Sequence, residues 1–95
     1  MNLTELINNP STTVVDVRSH YEFMAGHVEG SINIPLDEVP ERVEEFKQME
    51  GNIVLCCVSG ARSGQAQAFL SMRGLDNIVN GGGWTEVNYY KANAA

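Results

Sequence analysis

The chain has 95 residues, 43% apolar and 19% charged, which fits one small globular domain with a single core. Its formal net charge is −6 and its six basic residues are scattered, which disfavours a nucleic-acid binder or a protein that docks on anionic membranes. No stretch approaches the roughly 20 apolar residues of a membrane span, and residues 1–10 lack the basic start and apolar run of a signal peptide.

The only two cysteines, Cys56 and Cys57, are neighbours in the sequence. A structural disulfide framework would place cysteines far apart, so this pair does not indicate a secreted, disulfide-stabilised protein. We therefore expect a reducing, cytoplasmic setting. The start at Met1 and the short tail after Trp84 favour a free-standing protein of one domain over 1–95, and we expect a monomer or a weak dimer.

The first half of the chain predicts helix, strand, helix, strand and helix in that order. Ser19 is placed to cap the second helix and Gly26 to end it. The third helix is acidic, and its apolar residues recur at three- and four-residue steps that form one core-facing stripe. The five elements are expected at 3–7, 12–17, 20–25, 31–35 and from 37 to about 49, with the stripe at Leu36, Val39, Val43, Phe46 and Met49.

The second half continues the alternation. The continuous apolar run at 53–58 is typical of a central strand in a parallel sheet. A loop of small residues at 59–64 then leads into a helix that ends near Gly74, and a short strand is expected at 77–80. The three glycines at 81–83 are expected to break the chain before a last helix, and the apolar residues of these two helices are Ala66, Phe69, Leu70, Met72, Trp84, Val87 and Tyr90.

This alternation of strands and helices predicts the α/β class, with an open, mostly parallel β-sheet flanked by helices on both faces. In such sheets, ligands bind at the carboxyl ends of the strands. The strand that ends at Cys57 enters a six-residue turn, 57–62, which opens a helix. The amides of this turn can curl around the thiol, because Gly60 is free to adopt a positive φ. The helix N-terminus points at the same place, so the pKa of the thiol should be lowered, while Arg62 supplies a cation for an anionic substrate.

Three segments resemble the rhodanese family of sulfurtransferases. The loop at 57–64 has a cysteine, four residues, an arginine and a small hydroxyl residue, and 81–84 resembles the family's glycine–tryptophan signature. The segments follow the family's order and span most of the chain. The third segment resembles the amino-terminal signature through Asp16, Val17, Arg18, Glu22, Phe23, Gly26, His27, Val28, Gly30, Ser31, Asn33, Ile34 and Pro35.

The resemblance implies that the Cys57 thiolate takes a sulfur atom from a small anionic donor and passes it, as a persulfide, to a thiol or protein acceptor. This is covalent catalysis in two half-reactions, and no metal or organic cofactor is expected. The substrate would lie against the loop, and four residues outside it would support the site structurally. The expected loop contacts are Val58, Ser59, Gly60, Ala61, Arg62 and Ser63, and the supporting residues are Asp16, Arg18, His27 and Trp84.

Two other functions stay open. Counted from Cys56, the loop has the seven-residue length of related phosphatases and arsenate reductases of this fold, although Leu55 stands where those phosphatases usually have a histidine. The domain could also be a catalytically silent binding module, although an inactive copy has no need for an intact loop with Gly60 and Arg62. Cys56 is expected to be structural, with a strained vicinal disulfide to Cys57 as the alternative.

Two further details concern ligands. Many rhodanese loops have a basic residue directly after the cysteine, where this chain has Val58. Dianionic thiosulfate should therefore be held less well than a polysulfide or a small persulfide. His20 and His27 are too few for a metal site without a third ligand, so no metal is expected.

Overall fold

Four parallel strands form one sheet in a computed structural model that describes residues 2–92; Met1 and 93–95 of the predicted domain lie outside the described residues. The order β2-β1-β3-β4 confirms the predicted open, parallel α/β sheet, with every strand pairing parallel to its neighbour. The strands are β1 (Thr13–Asp16), β2 (Ile32–Asn33), β3 (Ile53–Cys57) and β4 (Ile78–Gly83).

Helices precede, connect and follow these strands along the chain. None of the helices within residues 2–92 is long and apolar enough to cross a bilayer. They are α1 (Leu3–Ile7), α2 (His20–Ala25), a 3₁₀ helix (Leu36–Arg42), α3 (Val43–Gln48), α4 (Ala61–Met72) and α5 (Trp84–Ala92).

The predicted boundaries of α2 are confirmed. The Ser19 side chain accepts a hydrogen bond from the Glu22 N–H, and the Glu22 carboxylate accepts one of 3.0 Å from the Ser19 N–H. This reciprocal pair is a capping box, which satisfies two donors that a helix N-terminus otherwise leaves free. Gly26 follows the last helical residue, as predicted.

The predicted acidic helix is wrong in one respect, because it is divided into the 3₁₀ helix and α3. Pro40 lies inside the first segment and has no N–H to donate, so a regular α-helix cannot run through it. Arg42 then departs from helical geometry, with φ −117° and ψ 22°. Val39, Val43 and Phe46 are nevertheless buried, so the predicted core-facing stripe is retained.

The prediction that the glycines at 81–83 break the chain is also wrong, because all three belong to β4. A Cβ on Gly81 would lie 2.7 Å from the nearest Val54 side-chain atom, and one on Gly83 would lie 2.6 Å from the carbonyl oxygen of Val58. The strand therefore continues through glycine because its neighbours approach too closely for any side chain. An irregularity in its pairing with β3, between Leu55 and Cys56, accompanies this approach.

The sheet separates two hydrophobic cores, one on each face. Successive strand residues point to opposite faces, so neighbours in β3 contribute to different cores. Leu55 and Cys57 pack with the 3₁₀ helix, α3 and α4, whereas Val54 and Cys56 pack with α1 and α5. Helices thus flank both faces, as predicted, and the two cysteines are separated by the sheet.

Candidate active site

The candidate site lies at the carboxyl end of β3, where the chain turns into α4. All five residues of β3 are buried, so its last residue, Cys57, is fixed by packing. Gly60 adopts φ +94°, as the sequence predicted, and it caps α4. The helix begins at Ala61, within the segment predicted as a loop, so Arg62 and Ser63 belong to its first turn.

The Cys57 sulfur is enclosed by this turn. The Gly60 N–H donates a hydrogen bond of 3.0 Å to Cys57 Sγ, and the Ser63 hydroxyl oxygen lies 3.5 Å from the same sulfur. Only 1% of the Cys57 surface is exposed. A small sulfur compound can reach a thiol that is this buried. A folded partner protein could contact only a second sulfur atom that is bound to the thiol and extends further out.

The ionisation of Cys57 is set by two opposing effects. Burial on its own raises the pKa of a thiol, because it disfavours the charged form. Hydrogen bonds from the Ser63 hydroxyl and from the N–H groups of Ser63, Gly60 and Ser59 outweigh burial, and the pKa falls to about 7. The lowered pKa increases the share of thiolate near neutral pH, and the thiolate is the nucleophilic form.

Cys56 differs from its neighbour in both respects. Its side chain is fully buried in the core on the other face of the sheet. Burial, followed by the negative charge of Asp16, raises the pKa of its thiol to about 12. Cys56 therefore stays protonated near neutral pH, which does not favour an oxyanion-transfer site built on this residue.

The remaining loop residues form the exposed mouth of the site. Val58 is 57% exposed, and Ser59 and Ala61 are also exposed. The Ser59 hydroxyl accepts a hydrogen bond of 3.4 Å from the Ala61 N–H, which keeps the turn closed. An incoming molecule therefore meets an apolar side chain and small polar groups at this mouth.

Arg62 was expected to offer its charge to a substrate, but its guanidinium is paired within the protein. Nη1 and Nη2 donate hydrogen bonds of 2.7 and 3.0 Å to the two carboxylate oxygens of Glu22 on α2. The Arg62 hydrogen bond, followed by the Ser19 N–H, lowers the pKa of Glu22 to about 2. A cation opposes the dipole at a helix N-terminus. Here Glu22, named in the sequence only as part of the amino-terminal signature, supplies the negative charge that pairs with Arg62.

Asp16 and Arg18 form a buried pair that joins β1 to the end of α2. Arg18 Nη2 lies 2.7 Å from the Asp16 carboxylate and donates a further hydrogen bond to the Gly26 carbonyl. The guanidinium carbon lies 4.6 Å from the centroid of the Trp84 ring. These contacts bring Asp16, Arg18 and Trp84 together, and their role in supporting the site stays a prediction.

His27 makes its contacts at the end of α2. Its Nδ1 lies 2.8 Å from the Phe23 carbonyl oxygen, and its ring stacks on Phe23 with 3.8 Å between centroids. Both contacts hold the His27 ring against the last turn of α2. Within residues 2–92 there is no group of three or more histidine, cysteine or acidic side chains that could hold a metal ion.

Asn80 is a site residue that the sequence analysis missed. Its amide oxygen accepts hydrogen bonds from the Ser63 hydroxyl at 2.7 Å and from the Gly82 N–H at 3.0 Å. Its amide nitrogen donates to the Gly60 carbonyl at 3.1 Å. Asn80 therefore connects Gly60 in the turn and Ser63 at the start of α4 to β4. The one sign of this role in the sequence was that Asn80, a polar residue, ends a predicted strand directly before the three glycines.

Comparison with known protein families shows to which family this chain belongs. A family model described as rhodanese-like domain matches residues 2–89. The chain belongs to the rhodanese family. Solved rhodanese structures agree in fold: a rhodanese with anions from E. coli is 36% identical with a TM-score of 0.72, over 79% of this chain and 89% of that one.

Two further rhodanese-fold structures cover most of both chains. A rhodanese-related protein from Thermoplasma volcanium is 35% identical with a TM-score of 0.71, over 83% of this chain and 77% of that chain. A human single-domain sulfurtransferase is 26% identical with a TM-score of 0.76, over 88% of this chain and 87% of that chain. The recognised family and the α/β rhodanese fold are therefore confirmed.

Curated relatives carry a different activity in their names. The tRNA uridine(34) hydroxylase of Photorhabdus laumondii is 34% identical over 87 residues, and that of Yersinia enterocolitica is 36% identical over 87 residues. Each alignment covers 84% of this chain but 25% of the relative. The chain thus spans about a quarter of the length of these relatives.

Proposed function

We propose that this rhodanese domain is a sulfurtransferase that carries sulfur as a persulfide on Cys57. The observation that carries the proposal is the buried Cys57 sulfur, with the Gly60 N–H at 3.0 Å and a pKa lowered to about 7. Donors that stabilise a thiolate also stabilise the terminal sulfur of a persulfide anion. The proposal extends to the expected single domain over 1–95 and the cytoplasmic location.

In the first half-reaction, the Cys57 thiolate attacks the outer, sulfane sulfur of a donor. A new S–S bond forms to Cys57 as the donor's own S–S bond breaks, and the electron pair leaves with the donor fragment. With thiosulfate the leaving fragment is sulfite, and with a persulfide it is a thiolate. The loop residues 58–63 surround the persulfide, and the N–H groups of Ser59, Gly60 and Ser63 hold its negative charge.

In the second half-reaction, an acceptor thiolate attacks the outer sulfur of the persulfide. The Cys57–sulfur bond breaks and returns the electron pair to Cys57, which becomes a thiolate again. The sulfur atom passes at one oxidation level, so no cofactor has to supply electrons. The alternation of two half-reactions predicts ping-pong kinetics.

The charges at the mouth favour donors other than thiosulfate. Arg62 is bound by both carboxylate oxygens of Glu22, and Val58 adds no charge. A dianion would therefore lose hydration without gaining a free cation in return. We expect a polysulfide or a small persulfide to load Cys57 faster than thiosulfate, and Glu22→Gln to narrow the difference by releasing Arg62. Steady-state kinetics with each donor measures this, and a clear preference for thiosulfate in the unmodified protein contradicts it.

A second candidate function follows from the names of the relatives. As part of a longer protein like the tRNA uridine(34) hydroxylases, the same loop would serve an activity on tRNA. Those names oppose our expectation that this chain binds no nucleic acid. The net charge of −6 supports that expectation. Fluorescence anisotropy with labelled tRNA at low salt distinguishes the two, and saturable binding by this chain would favour the tRNA activity.

The primary test is mass spectrometry of the reduced protein after incubation with thiosulfate or polysulfide. We expect a gain of one sulfur atom that persists in Cys56→Ser and is lost in Cys57→Ser. Loss in Cys56→Ser alone, together with hydrolysis of p-nitrophenyl phosphate, would favour the phosphatase-like alternative. No added sulfur from either donor, with both thiols free, would favour a silent binding module.

A further inference from the structure

A cavity of about 350 Å³ opens beside the candidate site, between the end of β1 and the start of the 3₁₀ helix. Three of its lining residues are apolar and three are polar. Its volume exceeds what a small inorganic sulfur anion would fill. The lining residues are Val17, Pro35 and Leu36, together with Ser19, Asp37 and Arg62.

The cavity adjoins the sulfur-bearing turn. The Val17 N–H donates a hydrogen bond of 2.9 Å to the Cys56 carbonyl, so Val17 lies beside the carboxyl end of β3. The side chains of Val17 and Cys57 belong to the same buried cluster on one face of the sheet. Arg62 lines the cavity and lies one position before Ser63, whose hydroxyl contacts Cys57 Sγ. Cys57 is not itself a lining residue, so the cavity adjoins the turn that holds its sulfur, and a bound molecule would have to extend from the cavity towards that turn.

The charge of this cavity is negative. Arg62 is paired with Glu22 through two hydrogen bonds, so little of its charge is left for a ligand. Asp37 is exposed at the start of the 3₁₀ helix, and no lysine, arginine or histidine among residues 2–92 forms an ion pair with it. The one unpaired charge on the wall is therefore a carboxylate.

We propose that the cavity binds the organic part of a small thiol, or of its persulfide, that carries a positively charged amine. The amine faces Asp37, and the carbon chain lies against Val17 and Leu36, which leaves the sulfur directed at Cys57. This inference rests on the proposed sulfur transfer and specifies which acceptors and donors that transfer uses. Apolar walls with one charge are typical of a site that orients a small organic ligand.

Transfer of the sulfur to such a thiol exchanges one S–S bond for another. The thiolate of the amine attacks the outer sulfur of the Cys57 persulfide, an S–S bond forms to the amine's sulfur, and the Cys57–sulfur bond breaks. Cys57 leaves as a thiolate with the electron pair, and the transferred sulfur keeps the negative charge that it carried in the Cys57 persulfide. Asp37 takes no part in these bonds and acts only through its charge.

The test uses three thiols with the same two-carbon chain: cysteamine, 2-mercaptoethanol and 3-mercaptopropionate, which are cationic, neutral and anionic. The protein is first loaded with polysulfide, and the rate at which each thiol removes the sulfur is measured and corrected for that thiol's own ionisation. We expect cysteamine to react about five-fold faster than 3-mercaptopropionate, the effect of a single partly screened charge contact. Asp37→Asn should remove this difference, and Asp37→Lys should reverse it.

Asp76→Asn is the matched control. Asp76 is exposed just before β4, at the opposite end of the sheet, so this variant should keep the order of the three thiols. An order of reactivity that is the same in the unmodified protein, Asp37→Asn and Asp37→Lys would overturn the subsite while leaving sulfur transfer intact. Failure of polysulfide to load Cys57 at all would overturn the proposed function, and the mass measured before thiol addition separates the two results.

Discussion

Ser63 and Asn80 are joined by a hydrogen bond of 2.7 Å, in which the hydroxyl donates to the amide oxygen. The same Ser63 hydroxyl lies 3.5 Å from Cys57 Sγ, so its proton can be donated either to the Asn80 amide oxygen or to the sulfur. The Asn80 amide oxygen keeps a second donor, the Gly82 N–H, when the hydroxyl turns to the sulfur. The pair therefore allows Ser63 to accept from the thiol and to donate to the thiolate.

Replacing Asn80 by aspartate should raise the pKa of Cys57. A carboxylate holds the Ser63 proton more strongly, adds a negative charge near the thiolate, and loses the donor to the Gly60 carbonyl. The pH profile of Cys57 alkylation by iodoacetamide should shift to higher pH, by roughly one unit. Asn77→Asp is the matched control, since Asn77 donates to the Gly51 carbonyl at the amino end of the sheet. Equal profiles for both variants would show that Asn80 does not tune Cys57.

Ser63→Ala should also raise the pKa of Cys57, because the hydroxyl is its leading stabilising donor. A hydrogen bond of about 1 kcal/mol corresponds to a shift of roughly 0.7 unit. Alkylation near pH 7 should therefore slow by roughly two- to four-fold and recover at higher pH, where the thiolate predominates. Ser71→Ala, on the exposed side of the same helix, should leave the profile unchanged. A slower rate that persists at high pH would indicate lost structure instead.

Glu22→Gln should destabilise the protein near neutral pH and cease to do so in acid. The pKa of Glu22 falls from its ordinary 4.5 to about 2 in the folded state, first through Arg62, so its stabilising effect is present above pH 4.5 and is lost as the pH falls towards 2. Both side chains are about one-third exposed, so solvent screening limits the effect to about 1 kcal/mol. Glutamine still caps α2, which isolates the ion pair.

Urea unfolding of both proteins between about pH 2 and pH 7 measures this effect as a difference in the free energy of unfolding. Glu44→Gln is the control, because the Glu44 carboxylate lies 3.7 Å from Lys47 and is 80% exposed. That variant should stay within about 0.5 kcal/mol of the unmodified protein at every pH. A Glu22→Gln difference that does not shrink in acid would refute the ion-pair account.

Gly81→Ala should lower the stability of the domain. The added methyl would lie 2.7 Å from Val54 and 2.9 Å from Val87, and both side chains are buried. Overpacking of this kind costs roughly 1–3 kcal/mol, which lowers the Tm of a domain of this size by several degrees. Gly74→Ala separates packing from backbone strain, because nothing lies within 4 Å of its added methyl and only its φ of +90° is unfavourable. Equal losses in thermal unfolding would argue against close packing at Gly81.

The elements and the sulfur-bearing turn could be predicted because local patterns encode them. Continuous apolar runs mark the buried strands, Ser19 and Gly26 bound α2, and Gly60 sits where the turn needs a positive φ. The site beyond the turn could not be predicted in the same way. Arg62 meets Glu22 from 40 positions away, and Asn80 meets Ser63 from 17, so neither contact leaves a trace in local periodicity.

The two errors concern the glycines at 81–83 and the proline of the acidic segment. Glycines usually end a strand, yet those at 81–83 continue β4. Close neighbours leave no room for a side chain at Gly81 and Gly83, and Gly82 has a φ of +85°. The acidic segment was expected to form one helix, yet Pro40 divides it because a regular α-helix needs the N–H that proline lacks. The glycine outcome depends on contact partners that the sequence does not reveal, whereas the proline outcome follows from the residue itself.

The position of the two cysteines on opposite faces of the sheet has a consequence for oxidative damage. A disulfide needs Cβ atoms about 4 Å apart, and successive residues of an extended strand point away from each other. When an oxidant converts the Cys57 thiolate to a sulfenic acid, Cys56 is on the wrong side of the backbone to condense with it. Repair before irreversible oxidation therefore depends on a thiol that comes from outside the domain.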